Sequence, residues 1–192
     1  MPAFPRTLFA LAASLAAAIA GAQNYPSKPV RLVSPFPPGG SVDVVGRILA
    51  AKLTENLGQQ MIVDNRSGAS GIIGTEFVAR SPADGYTLLI NTLPLVTNQF
   101  LMPKVGYDAI KDFEPIMMAT SSPSFVTVHP SVPARTIKEL IALAKSKPVQ
   151  LNYSAAGIGT NPHIAGELFN LLAGVDIVAV QFKGGGPADL AA

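Results

Sequence analysis

The chain encodes an α/β fold with largely parallel sheets. Three observations point there. Short apolar runs recur along the sequence, a glycine-rich loop follows each run, and each loop leads into a stretch whose apolar residues fall at helical spacing. Alternating strands and helices favour parallel sheets with helical crossovers. In such sheets a site forms beyond the carboxyl ends of the strands, where these loops gather.

The first unit is the most explicit. Val30–Val33 reads as a buried strand, and RLVSPFPPGGSVD carries it through a proline-stiffened glycine turn into a helix. Ser41 is expected to cap that helix, with Asp43 in its first turn and Arg47 four residues on. Val45, Ile48, Leu49, Leu53 and Leu57 form the expected buried stripe, and Gly58 ends it. Met61–Asp64 is a second strand, followed by NRSGASG and a helix through about Ala79. After the Ala83-Asp84-Gly85 turn, Thr87–Ile90 is a third strand.

Asn91 to Asn98 reads as a polar, proline-containing loop running into a short helix near Gln99. Pro115–Thr120 and Phe125–His129 read as two strands that cross between lobes, separated by Ser121-Ser122-Pro123-Ser124. Thr136–Lys147 is a helix with Ile137, Leu140, Ile141 and Ala144 inward. Leu151–Ser154 is the next strand, and AAGIGTNP leads to a helix from Pro162 to about Ala173. Asp176–Gln181, the loop FKGGGP and a helix starting at Pro187 complete the chain. The division implied is 1–22 leader, 23–120 first lobe, 121–192 second lobe.

The leader reading rests on Arg6, the apolar, alanine-rich run Leu8 to Ala20, and Ala20-Gly21-Ala22 as a small-x-small cleavage site, with a mature start near Gln23. That run is shorter than the ~20 residues a spanning helix needs. Without cysteine there are no disulfides, thiol nucleophiles or cysteine-ligated metals. Beyond the leader, 13 basic residues face 12 acidic ones, a balance that does not call for nucleic acid or a membrane surface.

The loops carry the chemistry. PFPPGGS offers backbone N–H groups around Gly40, Ser41 and Val42, and such groups at a helix start favour an anion. It also supplies the apolar ring of Phe36. The loop lacks the lysine and hydroxyl of GxxxxGK[ST] and is not GxGxxG, so a nucleotide is not indicated. Arg66 in NRSGASG either forks onto a carboxylate or serves the surface. In AAGIGTNPH the hydroxyls of Ser154 and Thr160 bracket flexible backbone, Asn161 is the expected cap and Pro162 the first helical residue. His163 and Glu167 have the spacing of a helix-face pair. A Ser154–His163 hydrolase couple lacks a GxSxG elbow and a third group. Lys183 either attracts an anion or is a solvated lysine at a turn. Two histidines and no carboxylates at ligand spacing leave no metal set and no cofactor motif.

Together, YPSKPVRLVSPFPPGGSVDVVGRILA, IVDNRSGASGIIGTEFVARSPADGYTLL, LNYSAAGIGTNPHIAGELF and FKGGGP resemble the substrate receptors of tripartite tricarboxylate transporters, the Bug-type periplasmic solute-binding proteins. The likeness runs in order from about Tyr25 to Pro187. It implies a type II, Venus-flytrap periplasmic-binding fold. It implies a monomeric, non-enzymatic receptor that holds a small carboxylate between two lobes and delivers it to membrane transporter subunits. The ligand positions it implies are Phe36, Pro38, Gly39, Gly40 and Ser41 in one lobe, and Ser154, Ala155, Ala156, Gly159, Thr160 and His163 in the other. Asn91 and Thr92 would line the rest of the cleft. Members of this family continue well past the GGGP helix, so the resemblance also implies an incomplete second lobe here. The competing readings are an inert receptor remnant and an exported hydrolase using Ser154 and His163.

Overall fold

The computed structural model describes residues 25–190. The expected leader, 1–22, lies outside the described residues. β1 (Val30–Ser34) is the centre of a three-stranded sheet of order β2-β1-β3, with β2 (Met61–Asn65) and β3 (Thr87–Leu89) both parallel to it. Val30 pairs with Met61 and Ser34 with Asn65 on one side, and Val33 pairs with Leu89 on the other. A central parallel strand must be apolar on both faces, and Val30, Leu32 and Val33 are all buried.

The crossover from β1 to β2 is α1 (Ser41–Leu57), which ends at Gly58 in the left-handed conformation. Its contact line matches the expected stripe only in part: Val45, Leu49 and Leu53 are half-buried. The buried positions are Asp43, Gly46 and Ala50, while Ile48 is 65% exposed and Leu57 is also exposed. Gly46 faces the sheet: an added Cβ would stand 3.7 Å from Ile90 and 3.8 Å from Leu32, in ordinary contact. The small residues meet the sheet, Leu53 packs beside them, Val45 and Leu49 are half-buried, and Ile48 and Leu57 are turned outward. Val30, Leu32, Ala50 and Met61 form the core, with Val63, Tyr86, Leu88 and Ile90 against it.

A 3-10 turn (Ala69–Gly71) and α2 (Ile72–Ala79) return the chain to β3. Next comes α3 (Pro94–Leu101), the short helix expected near Gln99, which begins earlier, inside the expected loop. Pro94 is the helix-starting proline rather than a loop marker, since it lacks the N–H that a first turn leaves unpaired anyway.

The expected strands Pro115–Thr120 and Phe125–His129 are not formed. No ladder partner reaches them among the described residues, and an unpaired run cannot be a strand; Phe125 is 82% exposed. α4 (Ile137–Ser146) is capped by the Thr136 side chain, which accepts from Glu139 N–H at 3.2 Å. Leu140 and Ala144 are its buried residues, and Ile137 is exposed. The second sheet pairs β4 (Asn152–Ala155) with β5 (Val178–Gln181) in parallel, joined through α5 (Asn161–Ala173). No residue of α5 is fully buried, and Leu172 is 78% exposed. α6 (Gly185–Leu190) ends the described chain. Among the described residues no helix is long and apolar enough to cross a membrane.

Candidate ligand-binding cleft

The first loop leaves β1 at Ser34 and reaches α1 through Pro35–Gly40. Gly39 has φ +81°, a conformation that suits glycine. The capping position is Gly40, not Ser41, and its backbone is extended with no side-chain cap. The capping role passes to Asp43, which reaches back from the first turn. Its carboxylate accepts from Gly39 N–H at 2.9 Å, from Arg47 Nε at 2.9 Å and from Asn65 Nδ2 at 2.9 Å. Asn65 Nδ2 also donates to the Phe36 carbonyl at 3.2 Å, so the end of β2 is tied to the same loop. Asp43 is only 3% exposed. The Arg47 guanidinium, followed by the Gly39 and Asn65 bonds, outweighs the cost of burial and holds its carboxyl at about 2. The expected Asp43–Arg47 pair is therefore present, and it organises the loop. Downstream, the N–H groups of Ser41 and Val42 begin a helix and have no carbonyl a turn behind them.

The opposing loop joins β4 to α5. Thr160, rather than Asn161, occupies the capping position, and its hydroxyl turns back to donate to Gly157 O at 2.6 Å. Asn161 and Pro162 open the helix, which leaves the Asn161 N–H at its mouth. Gly159, at φ +79°, sits where any side chain would strike Thr97 Oγ1, 2.8 Å from an added Cβ. That hydroxyl donates to Gly159 O at 2.9 Å, linking α3 to this loop. The expected His163–Glu167 pair is replaced. Glu167 accepts from the Tyr153 hydroxyl at 2.8 Å, and His163 Nδ1 accepts from Gly159 N–H at 3.4 Å.

The two loops enclose a cleft of about 350 Å³. From the first come Phe36, Pro38, Gly39, Gly40 and Ser41, with Pro37 and Val42 between and beyond them. From the second come Ala156, Thr160, Asn161 and Pro162, and Thr92 stands at the side. A third wall, Lys183 to Pro187, belongs to the FKGGGP loop and α6.

Five residues named from the resemblance do not line this cleft. The Asn91 side chain is engaged behind it, donating to Thr75 Oγ1 at 2.9 Å and accepting from Thr92 N–H at 2.7 Å. Ser154 and Ala155 are paired within β4, Ala155 fully buried. Gly159 and His163 are occupied with each other and, through Gly159, with Thr97. Ser154 and His163 share no hydrogen bond among the described residues. The Lys183–Pro187 wall was not among the ligand positions the resemblance implies, although the sequence left Lys183 open as an anion contact. Its signal was the fourth glycine loop, but only the pairing of Ala155 with Gln181 brings that loop beside Ala156.

Arg66 serves the surface: it donates to Asp64 Oδ2 at 2.8 Å and stacks 3.6 Å over the Phe77 ring. It borders a larger, shallow concavity of about 860 Å³, together with Lys28, Arg31 and Arg80. Those cations face carboxylates already, Arg80 with Glu76 at 2.9 Å and Lys28 with Asp84 at 3.6 Å. The smaller cleft is the better candidate, because main-chain donors from two helix starts converge there. Among the described residues no cluster of three or more His, Asp or Glu could hold a metal ion.

The model of the tripartite tricarboxylate transporter family receptor matches residues 45–192. BugT of Bordetella pertussis is 39% identical over 183 residues, covering 94% of this chain and 56% of the relative. The UPF0065 protein of the tcbD-tcbE intergenic region of a Pseudomonas species is 42% identical over 164 residues, 85% of this chain and 49% of the relative. The chain thus spans about half the length of the curated relatives it matches. Among solved structures, an R. palustris protein with adipate superposes with a TM-score of 0.82 at 39% identity, covering 86% of this chain and 56% of that one. MatC of Rhodopseudomonas palustris with bound malate gives 0.79 at 33% identity, 87% and 57%. The periplasmic binding protein BugD gives 0.72 at 32% identity, 86% and 56%. The α/β fold is that of these periplasmic binding proteins.

Proposed function

We infer, from the premise that the chain belongs to the tripartite tricarboxylate transporter receptor family, that it acts as a periplasmic receptor for a small carboxylate. In this reading it passes its ligand to membrane-embedded transporter subunits and works as a monomer without nucleic acid. Family and solved neighbours are solute-binding receptors rather than enzymes, so no hydrolytic role follows for Ser154 and His163. The observation that carries the reading is the convergence of the α1 and α5 starts on one cleft.

The chemistry follows from that arrangement. A carboxylate placed between the helix starts accepts from the N–H groups of Ser41 and Val42 on one side and Asn161 on the other. Each helix end adds roughly half a positive charge, so the anion is stabilised without a dedicated arginine. Phe36, Pro38 and Pro162 exclude water around it, which strengthens each bond. Thr92 faces the remainder of the ligand. Asn91, Ser154, Ala155, Gly159 and His163 act one layer back, by fixing the loops. The two sheets then correspond to two lobes, with the division near residue 120, and the leader 1–22 accounts for export.

Titration calorimetry of the purified chain with malate, adipate, citrate and aromatic acids tests this. Saturable binding of at least one acid is the expected result. A cooperatively folded sample that binds none of them would overturn the reading.

A further inference from the structure

Among the described residues one ionisable residue lines the cleft, and neither the helix-start chemistry nor the loop scaffold uses it. Lys183 is the only ionisable residue among the cleft-lining positions. Among the described residues, no carboxylate side chain lines the same space and Lys183 forms no ion pair. Arg47, Arg66 and Arg80, by contrast, each hold a carboxylate at 2.8–2.9 Å.

The loop that carries Lys183 is anchored on both sides. Phe182 N–H donates to Ala155 O at 2.7 Å, which ties it to the end of β4. On the other side, a Cβ on Gly184 would lie 3.4 Å from the Pro37 ring, so this loop rests against the first one. Lys183 is therefore an exposed residue at the cleft whose backbone is held from both sides.

We propose that Lys183 is a specificity-determining residue that takes the second carboxylate of a dicarboxylate ligand, so that the cleft selects dianions over monoanions of the same length. The proposal rests on the carboxylate-receptor reading above. Charge balance supports it: the two helix starts together present about one positive charge, enough for one carboxylate, and Lys183 supplies the second. An ammonium on a flexible four-carbon stem also reaches a carboxylate over a range of spacers. The cleft should therefore discriminate by charge more sharply than by chain length.

The test is calorimetric titration of wild type, Lys183→Gln and Lys183→Arg with succinate, malate, glutarate and adipate, each beside its monomethyl ester. Wild type should prefer the best-bound diacid to its ester by about tenfold, the low end for a hydrogen bond to a charged group. Lys183→Gln should lose that preference by weakening the diacid about tenfold more than the ester, and Lys183→Arg should retain most of it. Raising salt should shrink the preference in wild type only. If Lys183→Gln keeps the full preference, or weakens acid and ester equally, the proposal is overturned while the receptor reading stands. If folded wild type binds none of these ligands, both fall.

Discussion

The loop Phe36–Gly40 is held from within, whereas the loop Ala156–Thr160 is held locally and from outside. The first hangs on a buried carboxylate that ties Gly39, Arg47 and Asn65 together beside a three-stranded core. The second rests on one hydroxyl turned back to Gly157 and on Thr97 reaching across from α3, over a sheet of two strands. A fixed jaw and a supported jaw can present the same main-chain chemistry. They should fail in different ways when perturbed.

The largest effect is expected at Asp43. Asp43→Asn removes a charge that accepts three hydrogen bonds and turns an amide N–H toward donors, costing about 3 kcal/mol, the upper range for a bond to a charged group. Denaturant midpoints at neutral pH measure it. The same carboxyl gives the jaw a pH signature. Its folded value of about 2 lies below the ordinary 3.8, so its contribution is complete above pH 3.8 and disappears as pH falls through about 2. Wild type should lose stability across that window relative to Asp43→Asn. Parallel curves for the two proteins would detach the carboxylate from the loop.

Gly40→Val comes next and separates binding from folding. The nearest atom to an added Cβ is Pro37 O at 3.5 Å, an ordinary contact, and Gly40 has no positive φ. The fold should tolerate the side chain while the ligand should not, with about 2 kcal/mol lost in affinity and melting temperature almost unchanged. Equal affinity in the variant would remove this turn from the site.

Thr160→Val acts on the supported jaw. Its hydroxyl proton is already given to Gly157, so the effect on the ligand is indirect, about 1 kcal/mol through a looser loop. Thr160→Ser should restore it. An effect as large as that of Gly40→Val would mean a direct ligand bond instead. Thr97→Val should be smallest, about 0.5 kcal/mol, visible as faster amide exchange in residues 156–161 with global stability little altered. Faster exchange in the first loop as well would show that the two jaws share one support.

The sequence was most readable where local rules decide the outcome. The parallel alternation, the turn at PFPPGGS and the Asp43–Arg47 spacing all follow from neighbours within a few residues. It was least readable where partners are distant. Nothing local says that Ile116 and Phe125 lack a strand to pair with. Nor does periodicity reveal that α1 turns Gly46 and Ala50, rather than Ile48, to the sheet, since a small-residue contact leaves no apolar signature. At the cleft, glycine loops marked where main-chain donors gather. Yet Asn91 and His163 do not line it; the Asn91 amide and His163 Nδ1 are engaged within the protein instead. The Lys183 loop joined the site only through the pairing of β4 with β5.

The close seating of α1 has a mechanical consequence. A Cβ added at Gly46 would meet Ile90 and Leu32 at 3.7 and 3.8 Å, ordinary contact distances, so the helix rests on the sheet there with room for no more than a small side chain. It behaves as a strut whose free end carries the glycine turn, and the turn cannot yield unless the strut moves. Glycine turn, helix and sheet are then expected to travel as one body, so that the first jaw keeps its shape whenever the cleft changes its width.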